Sequence, residues 1–377
     1  MLTGQLLLQL IVILLVVQLF GNLSKHIGQQ WVIGEILAGL ALGPSLLGAL
    51  WPDLERQLFP ISTLPTLQTF GDIGLILYML SLGARLDTHL MLRQSRSAVF
   101  VSLSGIILPL VLGSLLGFIL YPSFAGPKAT LLSFLLFVGT AMAITAFPVL
   151  ARLLAEKKML GTKIGMLALT CASVDDVIAW CLLAYVVSVA HSQGILSVIG
   201  TIAQTLLFAC GMLLVVRPLL SYAVRHVQAK PLQMALSMLL LLAAAYTTNR
   251  IGIHPVFGAF LAGICLPRNV TFTTQVRSLD QVNTVLFLPL FFVYSGLQTR
   301  IGLIQGLSLW LICLLILITA CMGKIAGGTL STLIMGKSCR DALTLGILMN
   351  TRGLVELIVL NIGLQLGILS PTLFAML

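Results

Sequence analysis

Val174-Asp-Asp-Val-Ile-Ala-Trp180 lies near the middle of a stretch, Thr162 to Ala190, that is otherwise almost wholly apolar and long enough to cross a hydrocarbon core. An acid at bilayer depth costs a few kcal/mol even on insertion scales, so Asp175 and Asp176 side by side call for a counter-charge or a water-filled cavity, and by default for function. The alternative, a buried helix of a soluble protein with one solvated polar step, fails on composition. Of 377 residues, 59% are hydrophobic and 8% charged, against about 25% charged in soluble domains. The expectation is an all-α polytopic membrane protein lying in a lipid bilayer.

Working outward, apolar segments fall near residues 5–21, 31–48, 65–82, 98–121, 130–151, 164–190, 197–220, 232–249, 254–267, 281–299, 306–335 and 342–366. A thirteenth starts at Ser370 and reaches the end of the sequence at Leu377, which points to a fragment or a missing end; a chain that ended there is not expected to transport. The first segment, Gln5 to Phe20, lacks a basic flank and a cleavage site, so it reads as a span and not as a removed signal. The seven cysteines are scattered, without metal spacing, and read as small hydrophobes.

The net charge of +10 has a topological meaning, not a nucleic-acid one. Joints after odd-numbered spans hold fifteen Lys and Arg residues (Lys25; Arg85, Arg93, Arg96; Arg152, Lys157, Lys158, Lys163; Arg217, Arg225, Lys230; Arg268, Arg277; Lys337, Arg340). Joints after even-numbered spans hold four: Arg56, Lys128, Arg250 and Arg300. Odd joints are therefore expected in the cytoplasm and the N-terminus outside. Lys324 and Arg352 remain, both inside spans.

The chain also echoes itself. Gly34-Glu-Ile-Leu-Ala-Gly-Leu-Ala-Leu42 matches Gly258-Ala-Phe-Leu-Ala-Gly-Ile-Cys-Leu266 at five of nine positions, with Pro44 and Pro267 following. Ser81-Leu-Gly-Ala-Arg85 is echoed more loosely by Ser295-Gly-Leu-Gln-Thr-Arg300. The shift is seven spans, an odd number, so the second copy is expected upside down: spans one to six and eight to thirteen form two inverted repeats joined by span seven. Inverted repeats with broken helices facing each other mark secondary transporters, whose substrate binds between the repeats.

The expected breaks fall in spans five and twelve. In Thr140-Ala-Met-Ala-Ile-Thr-Ala-Phe-Pro148 the proline deprives the Ile144 carbonyl of its partner and Thr145 adds a hydroxyl, which makes a place to hold a cation; an ordinary proline kink is the alternative. In span twelve, Met349-Asn-Thr-Arg-Gly353 sets Asn350, Thr351, Arg352 and Gly353 at mid-span, and Glu356 lies four residues after Arg352, so a purely structural ion pair is open for those two. Lys324, between Gly323 and Gly327, needs an anion, and Asp175 and Asp176 are the candidates. Glu35 and Asp72, acids within spans two and three, are candidates to line an ion path, and Glu35 is near enough to the cytoplasmic end to reach water instead.

Together Thr145-Ala-Phe-Pro-Val-Leu-Ala-Arg152, Val174-Asp-Asp-Val-Ile-Ala-Trp180, Gly323-Lys324 and Asn350-Thr-Arg-Gly-Leu-Val-Glu356 resemble the second monovalent cation–proton antiporter family, nearest its branch of plant cation/proton exchangers and their bacterial relatives. The resemblance covers essentially the whole chain. It implies the sodium/proton antiporter fold of about 13 transmembrane helices and a homodimer. It further implies scaffold and dimer halves at 1–96 and 231–305, transport-core halves at 97–190 and 306–377, and a linking helix at 191–230. It makes Asp176 the main ligand of Na+ or K+, Asp175 and Lys324 a switchable pair, and Thr145 a residue of the crossover. No cofactor beyond the transported ions is implied, and the cytosolic regulatory domain of the family has no counterpart in these residues.

The function expected is exchange of a monovalent cation for protons at one desolvated carboxylate, by alternating access, in a plasma or inner membrane and in the service of pH homeostasis. A gated cation efflux system or channel uses similar acids but wants symmetric rings around a pore. An intramembrane aspartyl protease needs two aspartates facing one water, whereas neighbours on one helix point about 100° apart, so no enzyme is expected.

Overall fold

The computed structural model describes the whole chain except residues 1, 86–87, 160–161, 191–194, 227–228, 253 and 268–269. In order its helices are α1 (Leu2–His26), α2 (Trp31–Leu42), α3 (Leu47–Leu50), α4 (Pro52–Leu58), α5 (Leu64–Arg85), α6 (Thr88–Phe124), α7 (Leu131–Ala143), α8 (Phe147–Glu156), α9 (Lys163–Ala190) and α10 (Ile195–Gly211). There follow α11 (Arg217–His226), α12 (Lys230–Ile251), α13 (Pro255–Cys265), α14 (Val270–Leu286), α15 (Leu288–Gln298), α16 (Gly306–Ile334), α17 (Cys339–Met349), α18 (Leu354–Gln365) and α19 (Pro371–Met376). Among the described residues there is no strand, only an isolated bridge between Ala125 and Leu369.

Nine helical stretches among the described residues are long and apolar enough to cross a membrane, and three apolar helices, Leu131–Ala143, Pro255–Cys265 and Val355–Gln365, are shorter. Their outward faces stay apolar: Leu15 and Leu19 on α1 are each 66% exposed, a surface suited to lipid. The chain is an integral membrane protein. The shorter helices account for the departure from twelve full spans, since spans five and twelve are each split in two and span nine is eleven residues. The tenth span also begins earlier than expected, at Val270, and changes helix at Phe287, where Pro289 falls in the first turn of α15. In the seventh span a π-helical turn, Met212–Val216, precedes Pro218. That looser turn contains Leu214, whose carbonyl the proline ring would otherwise strike.

The chain divides into two compact units, residues 1–86 with 204–302 and residues 87–203 with 303–377. In the first, α2 packs between α1 and α15, and α13 packs between α12 and α5. The repeated glycines sit at the tightest of these crossings. A methyl group at Gly34 would lie 2.6 Å from the Cα of Gly21 on α1, and one at its echo Gly258 would lie 2.6 Å from the Ala244 carbonyl carbon on α12. At Gly39 it would lie 2.6 Å from the Val293 carbonyl oxygen and 3.0 Å from the Cα of Gly296; at Gly263 it would lie 3.0 Å from the Cα of Gly83. Span two thus meets ten as span nine meets three, the crosswise pairing that a pseudo-two-fold relation between repeats generates.

In the second unit, α6 lies along α7, α9 and α16, and α16 lies along α17. The broken pairs α7–α8 and α17–α18 are joined at two heights by backbone hydrogen bonds. At one height the Ala146 N–H donates to the Thr351 carbonyl at 2.8 Å. At the other, Gly126 donates to Ile368 (2.8 Å), Lys128 to Gly367 (3.0 Å) and Ser370 to Phe124 (3.2 Å), which joins the entry to α7 with the turn that follows α18.

Candidate ion-binding site

Asp175 and Asp176 lie near the middle of α9, with roughly 18 Å of helix before them and about 20 Å after, at 1.5 Å per residue. Both are buried. Around them the two breaks supply backbone and hydroxyl groups that unbroken helices would have consumed. After Ala143 the helix stops, Ile144 is extended and buried, Thr145 and Ala146 lie outside any helix, and the chain restarts as α8 at Phe147. The expectation of a proline within the helix is corrected here: the break comes before Pro148, which takes the second position of α8, where a missing N–H leaves no bond unmade.

Asp175 is saturated. Its Oδ2 accepts from Thr145 Oγ1 at 2.5 Å and from Lys324 Nζ at 3.0 Å, and its Oδ1 accepts from Ser102 Oγ on α6. Lys324 is wholly buried in α16, so the ion pair has no solvent to fall back on. Thr145 Oγ1 also lies 3.0 Å from the Met349 carbonyl at the end of α17, yet the hydroxyl has one hydrogen to share between carboxylate and carbonyl. Asp176 differs. The backbone N–H of Phe147, at the start of α8, faces its carboxylate, while its Oδ1 is buried without a hydrogen-bond partner. An ionised carboxylate with a bare oxygen at membrane depth is an anion waiting for a proton or a cation.

The second break, Asn350 to Gly353, brings Arg352 back across the unit. Its guanidinium donates to Glu356 Oε1 at 2.7 Å and to the Met142 carbonyl at 3.2 Å, so it pairs within its own helix and also caps an orphan carbonyl at the end of α7. Asn350 Nδ2 donates to Cys321 Sγ at 3.4 Å and leaves its Oδ1 buried without a partner. Thr351 supplies the carbonyl that holds Ala146, and a methyl group at Gly353 would lie 2.7 Å from Val149 Cγ2 on α8. Two half-helices therefore end, and two begin, around one buried acid pair.

Residues 11–377 match the family described as sodium/hydrogen exchanger, transmembrane. The chain belongs to the sodium/hydrogen exchanger family. Among relatives in it, the Na(+)/H(+) antiporter NhaS4 of Synechocystis is 41% identical over 374 residues, covering 97% of this chain and 91% of that protein. The cation/H(+) antiporter 17 of Arabidopsis thaliana is 41% identical over 379 residues, 98% of this chain but 46% of that protein. The K(+)/H(+) antiporter 1 of Saccharomyces cerevisiae is 30% identical, with 98% and 44% covered. The chain thus spans less than half the length of these plant and yeast relatives. The sodium proton antiporter MjNhaP1 of Methanocaldococcus jannaschii shares the fold, with a TM-score of 0.70 at 16% identity, over 99% of this chain and 92% of that one.

Within this exchanger-family chain, the second unit brings together Thr145, Asp175, Asp176, Lys324 and both breaks. Glu35 and Asp72 belong to the first unit. Glu35 is buried in α2, and Asp72 is half-buried in α5, near Tyr294 of α15, whose hydroxyl donates to Gln68 Oε1 at 3.0 Å. Four participants escape sequence reasoning: Ser102, the carbonyls of Met142 and Met349, and the Phe147 N–H. A lone serine in an apolar span usually bonds its own helix, and backbone groups have no side-chain signature, so only the position of the breaks could have pointed to them.

Proposed function

We propose that this chain exchanges a monovalent cation, Na+ or K+, for protons across a membrane, and that the two compete for Asp176. The observation that carries this reading is the contrast between the neighbours: Asp175 accepts three hydrogen bonds, whereas Asp176 keeps one buried oxygen without a partner. Lys324, Thr145 and Ser102 already occupy Asp175, so the pair's second carboxylate is the one left to bind a proton or an ion. A cation arriving there replaces a proton, with Thr145 and the open carbonyls of the breaks as further oxygen ligands. Lys324 is free to change partner when the charge on Asp176 changes, and Arg352 with Glu356 holds the second break in place.

Residues 97–190 and 306–377 act as the moving core in this reading, residues 1–96 and 231–305 as scaffold and homodimer face, and residues 191–230 as the linking helix. Glu35 and Asp72 line an ion path in this reading. The protein lies in a plasma or inner membrane with its N-terminus outside and contributes to pH homeostasis. The relatives named as Na(+)/H(+), cation/H(+) and K(+)/H(+) antiporters support the exchange and leave the ion as Na+ or K+.

Dye-monitored proton flux in proteoliposomes, with sodium, potassium and lithium added in turn, tests it. At least one cation should drive proton movement in the wild-type chain and none in Asp176→Asn. Flux of equal size in the variant removes Asp176 from the centre of the mechanism; a conductance without proton coupling makes the protein a channel.

A further inference from the structure

A cavity of about 340 Å³ opens in the second unit at the end of the helices where Lys and Arg cluster. It is in the ~300–1,000 Å³ range of small-ligand sites. Leu167 of α9, Leu345 of α17 and Met335 beyond α16 form apolar walls, while the exposed Lys163 and Lys337 and the partly exposed Asp341, in the first turn of α17, stand at its mouth. Among the described residues none of these three charged side chains has an ion-pair or hydrogen-bond partner, although all line one cavity. The cavity is separate from the acid pair: Leu167 precedes Asp175 by two turns of α9, about 12 Å along the helix.

Two unpaired ammonium groups form a seat for a compact anion with several acceptor oxygens, and a phosphate fits that description. The unpaired carboxylate asks for a cation on the same ligand. A free phosphate leaves Asp341 unmatched, a simple amine leaves both lysines unmatched, and a zwitterion satisfies all three. The apolar walls and the position at the helix ends suit a ligand that carries hydrocarbon beside its charges.

We propose that this cavity binds a phosphoethanolamine group, its phosphate between Lys163 and Lys337 and its ammonium on Asp341. The group comes either from an aminophospholipid or from a soluble phosphoethanolamine ester. Occupancy ties the start of α9 to the start of α17, the helices that lead to the acid pair and to the second break.

The test is thermal unfolding of the full chain, delipidated in detergent, against phosphatidylethanolamine, phosphatidylglycerol, glycerophosphoethanolamine and inorganic phosphate, with apparent Kd taken from the midpoint shifts. A phosphoethanolamine probe should stabilise the protein, and Lys163→Gln with Lys337→Gln should weaken it by at least about tenfold, ~1.4 kcal/mol, while Arg at both positions retains it. Asp341→Asn should abolish the preference for phosphatidylethanolamine over phosphatidylglycerol. Stabilisation by the lipid alone assigns a lipid source, and by the glycerophosphoester assigns a soluble one. The same probe should shield Lys163 and Lys337 of the wild-type chain from acetylation, a reading independent of any variant. The proposal is overturned if no phosphoethanolamine probe stabilises or shields, if the Gln variant binds as the wild type does, or if inorganic phosphate does as well and Asp341→Asn changes nothing.

Discussion

With three donors on Asp175 and a bare oxygen on Asp176, substitution of these neighbours separates stability from transport. Removing Lys324 strands a buried carboxylate, and breaking a buried pair from one side typically costs about 3–5 kcal/mol. Lys324→Ala should therefore lower the thermal midpoint of the purified protein sharply, and adding Asp175→Asn should restore most of the loss; equal midpoints for all three proteins would show that the pair carries no net interaction. Asp176→Asn should behave in the opposite way, with the midpoint nearly unchanged and exchange abolished. Competition at one carboxylate also sets a pH law. Below the pKa of the site the apparent cation Kd should rise about tenfold per pH unit, one proton displaced per ion at about 1.4 kcal/mol, and above it the curve should flatten. Cation binding to solubilised protein between about pH 5 and 9 measures this, and a Kd independent of pH would send the protons elsewhere. At this scale the sequence is legible where a charge must be explained: Asp175, Asp176, Lys324 and Arg352 are conspicuous at membrane depth because each is expensive there. Ser102 is not conspicuous, since a hydroxyl in an apolar helix costs little.

At the level of helices, the crosswise glycine contacts turn a repeat of letters into a repeat of packing. Gly39 and Gly263 occupy equivalent places in the two echoes, each pressed against a neighbour's backbone that has no side chain to rearrange. Gly39→Val and Gly263→Val should each destabilise the protein by about 1–3 kcal/mol or more, to a similar extent, read as the fraction surviving heating in detergent. Tolerance of one and not the other would show that the echo is not a structural pair. The breaks illustrate what patterning alone misses. Pro148 and the polar run at Asn350 locate them to within a turn, but the non-helical residues lie at Ile144 to Ala146, because proline is most comfortable just inside a helix start and the chain unwinds ahead of it. Span number is misread for a related reason: hydropathy averages across a break, so a pair of half-helices looks like one span.

For the molecule as a whole, the uneven distribution of Lys and Arg predicts which joints face the cytoplasm. Lys157 and Lys128 are both exposed in joints of opposite parity, so Lys157→Cys should react with an impermeant thiol reagent from the cytoplasmic side and Lys128→Cys from outside, in a background lacking the native cysteines. Reversed labelling inverts the molecule and leaves its repeat intact. Membrane class and repeat order were readable at this scale because they rest on composition and on parity, whereas the assignment of each helix to a compact unit depends on contacts between distant parts of the chain that no local pattern records. One such contact, from the Ala146 amide to the Thr351 carbonyl, makes a timepiece of a single hydrogen. Deuterium enters that amide only when the two breaks part. If they travel as one piece through every turnover, Ala146 should exchange as slowly as the centre of α9 whether or not ions are flowing. Uptake that quickens with ion flux would count, cycle by cycle, how often the crossing comes undone.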